Sequence, residues 1–295
     1  MQTRQAESDY VRDSTRRSDS GTRRRWRLRL LLTLLITPAL SGLLLSGNTM
    51  AFQPNLDALV KQSKFIFRGT VRKLNAATLA EVTPSGNTVV VAVDEVLQAP
   101  ATLGDFTGQE ITVQLSQPNS VKAGQRLVFF TNGWLYGKSL AVTEAGRLQT
   151  NASADTLRKQ IAAANQRLAD QALQQRLAQA ELVVVGKVAA VRRSEQARRD
   201  FISEHEPDWW EAQLQIESVE RGQTPQRNVT ILYSNSTDVM WFNSPKFKVD
   251  QDGIWILRRN QKTGIQVNGL TALDSEDFLP RTQLDRVRRL LRAIR

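Results

Sequence analysis

Acid–base chemistry in this chain has one histidine to work with, His205, in the stretch SEHEPDWWE. Glu204, Glu206 and Asp208 stand at the first, third and fifth places of a calcium-loop spacing, where alternate carboxylates converge on an oxygen-seeking cation. The sixth place of such a loop needs glycine and holds Trp209; the twelfth needs glutamate and holds Gln215. The pattern fails, and these acids read as a solvated loop with Arg192, Arg193, Arg198 and Arg199 as neighbours. A Ser-His-Asp triad would also have to use His205, and no serine sits in a GxSxG elbow. The chain has no cysteine, which excludes thiolate nucleophiles, thiolate metal sites and disulfides. No glycine-rich phosphate loop is present. The sequence thus assigns no catalytic residue, no metal site and no cofactor, and it favours a non-enzymatic protein.

Aromatic residues are the more informative candidates. Trp209 and Trp210 are expected in a long insertion between the first two strands of the second half, and Trp241 and Phe242 in the connection before its fourth strand. Aromatic rings at such loops stack on sugars, peptides or bases. The competing expectation is a plug, because burying one ring removes about 150–250 Å² from water. These four residues are the ligand-binding candidates. Trp255, inside the apolar run GIWIL, reads as core, and Trp134 sits beside a turn.

The elements that must position them are written twice. FIFRGTVRKL from Phe65 is matched by LVVVGKVAAV from Leu182, with Gly69 on Gly186, 117 residues apart. VVVAVDEVLQAP (89–100) matches AQLQIESVERGQ (212–223), EITVQLS (110–116) matches NVTILYS (228–234), and VKAGQRLVFFTN (121–132) matches FKVDQDGIWILR (247–258). The offset drifts from 117 to 123, 118 and 126, which places the insertions between strands, where loops absorb them. Each half shows four strand signals with period-two alternation, and a fifth is expected near 139–143 and 264–268. Leu157, Ile161, Ala164 and Leu168 fall at helical spacing, and the phase then slips to Leu173 and Leu177. That slip predicts two helices meeting near Asp170. The last fifteen residues carry an amphipathic stripe of Leu284, Val287, Leu291 and Ile294.

Short strands without crossover helices predict a mainly β protein with flanking helices: two tandem five-stranded OB-like barrels, each closed by a C-terminal helix. Gly69 and Gly186 are structural candidates, because glycine within a strand marks a bulge or a barrel corner. The order of apolar positions, over about 55–150 and 172–280, resembles exported bacterial domains of the OB-like barrel found in tissue inhibitors of metalloproteinases and netrin modules. That resemblance implies the fold. The inhibitory mechanism of those proteins uses an N-terminal cysteine on the protease zinc, and this chain has none to supply.

The N-terminus gives an address. Nine arginines and four acids precede LLLTLLITPALSGLLL, Leu30–Leu45. This apolar run of 16 residues, interrupted by Pro38 and Gly42, is short for a membrane span, which needs about 20. With the small-residue exit Thr49-Met50-Ala51, the pattern is that of a secretory signal peptide over 1–51, the alternative being an anchor retained through 30–45. The expected organisation is therefore 1–51 leader, 52–169 first unit and 170–295 second unit. The net charge of +11 falls to +6 beyond residue 51, with 31 basic and 25 acidic residues. Export and this modest balance weigh against nucleic acid. The expectation is a secreted or periplasmic binding or scaffolding protein for a protein, peptide or glycan partner. A hydrolase-like enzyme on the second unit's loops and an oligonucleotide binder are the alternatives. Mass spectrometry of exported protein is expected to find Phe52, or a residue within a few positions of it, at the N-terminus; an intact Met1 would refute the leader.

Overall fold

A computed structural model describes residues 55–195, 208–259 and 269–294. The described residues belong to one compact unit. The candidate leader and its cleavage point, His205, and the fifth strand expected at 264–268 lie outside the described residues.

The first half opens with α1 (Leu56–Lys61), whose N-cap Asn55 accepts the Asp57 amide at 3.0 Å. Five strands follow: β1 (Phe65–Leu74), β2 (Thr88–Gln98), β3 (Glu110–Gln114), β4 (Arg126–Tyr136) and β5 (Leu140–Leu148). They close in the order β1-β2-β3-β5-β4, with β3 and β5 parallel and the other described pairs antiparallel. The second half repeats this with β6 (Leu182–Arg193), β7 (Trp209–Arg221), β8 (Asn228–Ser234), β9 (Asp252–Arg259) and β10 (Leu270–Thr271). Here β10 pairs in parallel with β8 and antiparallel with β9, which completes the second closed barrel. A further short strand, β11 (Phe278–Leu279), continues along β9 past a turn at 275–277. Its Leu279 opposes Ile254 as Leu148 opposes Val128, so β10 and β11 together stand where β5 stands in the first barrel. The protein is mostly β: two five-stranded barrels in tandem.

Closure rests on the first strand of each barrel. Alternation sends Phe65, Phe67 and Val71 inward and Ile66 outward, and likewise Leu182, Val184 and Val188 inward and Val183 outward. The β1–β2 ladder shifts register at 66/67, 68/69 and 71/73; β6–β7 shifts at 183/184, 185/186 and 188/190. These bulges coincide at the 117-residue offset, and each set bends its strand around the barrel. Gly69 and Gly186 sit on the middle one. Neither has a positive φ. Their role is close approach: a Cβ at 69 would lie 2.5 Å from Val91 Cγ1 and 2.8 Å from the Ala92 carbonyl oxygen. A Cβ at 186 would meet the Gln215 carbonyl oxygen directly.

The helices form the outer layer. One continuous helix, α2 (Ala154–Gln179), joins the halves, where the phase slip in the sequence predicts two. Ser153 caps its start, accepting the Thr156 amide at 3.2 Å, and no glycine or proline follows to break it. The slip is a change of partner. Leu157, Ile161 and Ala164 pack with α1 on the outer face of β1 and β4. Leu173 and Leu177 pack on the outer face of β6 and β9, beside Val287, Leu290 and Leu291 of α3 (Leu284–Arg292). The position expected to separate the halves, between 169 and 170, is mid-helix. Asp170 there accepts from Arg286 at 2.7 Å and Arg289 at 3.4 Å of α3. Farther along, Arg176 and Arg258 converge on buried Asp277, at 2.6 and 3.1 Å, and on Asp274. Burial alone would raise the Asp274 carboxyl, but hydrogen bonds from both arginines outweigh it and hold it below the usual range.

The bulge geometry sets the cost of side chains on the first strands. Gly69→Val and Gly186→Val are each expected to destabilise by about 1–3 kcal/mol through overpacking. The larger loss is expected at 186, where the obstacle is backbone. Gly133→Val, whose Cβ would meet nothing within 4 Å, is the control and should melt near the parent temperature.

Candidate functional site

The four aromatic candidates divide into different environments. Trp209 and Trp210 begin β7 itself, so they lie on a strand and not in the expected insertion. Adjacent strand residues face opposite ways. Trp209, 4% exposed, packs against Leu232, Leu273 and Trp241, with the Trp209 and Trp241 rings edge-on at 5.7 Å. Trp210 packs on the barrel interior and donates its indole N–H to Asp208 Oδ2 at 2.8 Å. Phe242 is 71% exposed, in a turn with exposed Val239 and Met240. Lys246 ties this β8–β9 connection down, donating to the carbonyl oxygens of Ser234 at 2.7 Å and Trp241 at 2.9 Å. Burial pushes its ammonium below the ordinary lysine value. The structure therefore joins Trp209 to Trp241 and sends Trp210 and Phe242 elsewhere.

Of the carboxylates in the calcium-like spacing, only Asp208 is described, and Arg193 pairs with it at 3.0 Å. Among the described residues, no group of three or more histidines, cysteines or acids is placed to hold a metal ion. Trp255 is core as expected, fully buried with Phe247 at 6.4 Å and Phe278 at 5.2 Å. Tyr233 joins that interior; burial, with the Asp208 charge adding to it, pushes its phenol up to about 12.

An apolar opening lies on the first barrel, and the sequence did not single it out. A cavity of about 360 Å³ lies where β1 starts, β2 ends and β4 turns into β5. Its floor is Phe65, Leu140 and Val142, and Leu103 of the β2–β3 connection forms one wall. Trp134, Leu135 and Tyr136 line it from the last turn of β4. Lys64 is the charged residue at its edge. Tyr136 is 73% exposed and rests edge-on against Phe106 at 6.4 Å. The hairpin is fixed by the ladder, with Leu135 opposite Ala141 and Tyr136 opposite Leu140. The available sequence signal was the pair of rings at the end of an otherwise alternating strand. Strand alternation expects one face there to be polar, yet residues 134–136 are all apolar or aromatic.

No protein-family profile matches the chain, and no curated protein matches its sequence.

The partition of the aromatic quartet is open to measurement. Trp209→Ala is expected to cost about 3–5 kcal/mol of stability, as for a buried ring in packed surroundings. Phe242→Ala should stay within about 0.5 kcal/mol of the parent in chemical denaturation. Equal losses at both would contradict these placements.

Proposed function

We propose that this protein is an exported binding module, and that the mouth of the first barrel receives a large apolar side chain of a peptide or protein partner. The observation that carries the reading is the apolar cavity of about 360 Å³ beneath exposed Trp134 and Tyr136. Concave apolar surface with a single charged residue at its edge is the usual composition of a ligand pocket. Rigid aromatic rings at its rim supply contact area at low entropic cost. The leader-like N-terminus supports export. The apolar pattern shared with netrin-like barrels supports a binding role over catalysis, because such barrels present ligands to their loops and ends. The cysteine-dependent protease inhibition of that group has no counterpart here.

The test is selection of peptides from a random display library on the full chain. Enriched sequences are expected to share one large apolar residue. Binding of a synthesised winner should weaken about tenfold or more with Trp134→Ala, and similarly with Leu103→Asp, which places a charge in the cavity wall. Enrichment of polar or acidic motifs, or indifference to both substitutions, would overturn the reading.

A further inference from the structure

The two barrels provide an internal comparison at the end opposite the apolar mouth. Val93 and Ile216 pair with Gly69 and Gly186, Leu127 and Gly253 pair with the same glycines, and Leu148 and Leu279 oppose Val128 and Ile254. Asp94 therefore corresponds to Glu217, Arg126 to Asp252, and Thr150 to Arg281. The turns leading into β4 and β9 agree in detail. Gly124 N–H donates to the Val71 carbonyl at 2.8 Å, as Asp250 N–H does to Val188 at 2.9 Å. Both residues take a positive φ, 79° and 70°. Lys122 and Lys248 each donate a backbone N–H to the side-chain oxygen of Gln125 or Gln251 at 3.1 Å.

In the second barrel the chain fills this place itself. The Arg281 guanidinium reaches Asp252 Oδ2 at 2.7 Å and Glu217 Oε2 at 2.7 Å. In the first barrel the short Thr150 replaces that arginine, and the acid at the Asp252 position is replaced by Arg126. A cavity of about 400 Å³ remains, lined by Arg68, Gln125, Arg126, Gln149, Thr150 and Asn151, together with Gly124 and Leu127. No carboxylate is among these residues. Arg68 is 8% exposed; its two terminal nitrogens serve Glu95 and the Ala152 carbonyl, while Nε has no partner. Arg126 is held by Asp94 through Nε at 2.7 Å, and its side chain is otherwise largely exposed.

We infer that this cavity is a carboxylate-binding site of the first barrel. The second barrel places a cation between two acids; the first pairs one acid, Asp94, with Arg126 and leaves beside that arginine a space lined by Arg68 and uncharged residues. A planar carboxylate matches a guanidinium edge with two parallel hydrogen bonds. Gln149 and Asn151 also line the cavity, and side-chain amides are neutral donors. Asp94 and Glu95 keep the surroundings close to neutral, so binding is expected in roughly the millimolar range. The ligand is a small molecule that carries a carboxylate.

Sodium succinate is the probe, titrated into the full chain against sodium chloride at matched ionic strength to separate binding from screening. A saturable shift of the Arg126 Nε–H resonance is expected. Arg126→Gln, a change at an exposed side chain, should weaken it about fivefold or more. The double variant Arg126→Asp with Thr150→Arg transplants the second barrel's set, and it should fold and lose the response. No saturable response beyond chloride, or a response unchanged in Arg126→Gln, would overturn the site. Tighter binding of inorganic phosphate than of succinate would overturn the carboxylate assignment.

Discussion

The near-contact of two backbones at Gly69 and Gly186 is the constraint on which the rest depends. A five-stranded barrel is small, and its first strand must bend sharply to pair with β2 on one side and β4 on the other. The bulge at 68/69, repeated at 185/186, supplies the bend, and the glycines let the neighbouring carbonyls of Ala92 and Gln215 come in. Once that strand bends, Phe65, Phe67 and Val71 point to one interior and Leu182, Val184 and Val188 to the other. The outward residues are left as an apolar stripe that the helices must cover.

That outward stripe explains why the two halves share an element. Each barrel uses an opening helix and a closing helix across its first and fourth strands. The closing helix of the first and the opening helix of the second are one rod, α2. Its apolar face rotates between its halves, and polar contacts fix it to the second barrel through Asp170, Arg176, Asp274 and Asp277. The arginines of α3 take part in this: Arg286 and Arg289 meet Asp170, and Arg288 meets Glu220.

On this shared scaffold the two barrels diverge at their ends. The first stacks Phe65, Phe67 and Phe129 inside and leaves an apolar mouth under Trp134 and Tyr136. The second gathers Tyr233, Phe247, Trp255 and Phe278, with Trp210 against them. At the other end, a single arginine in the second barrel fills what the first leaves open. Duplicated frames with unlike fillings are how one fold carries different surfaces.

The sequence by itself determined the repeat and four strands of each half. Inward positions must be apolar in both copies, so alternation and offset survive even where few residues are identical. The offsets of 117, 123, 118 and 126 reappear as paired residues in the two ladders. It also located the two glycines, although not whether φ or close approach required them. Tertiary structure alone decided the continuity of α2, because a phase slip looks the same whether a helix breaks or changes partner. It alone separated Trp209 from Phe242, since exposure depends on Leu232 and Leu273, which are distant in sequence. It alone assembled both cavities. Each is lined from several strands and connections, and a pocket is a property of what the closed barrel leaves unfilled, for which no local pattern of residues is required.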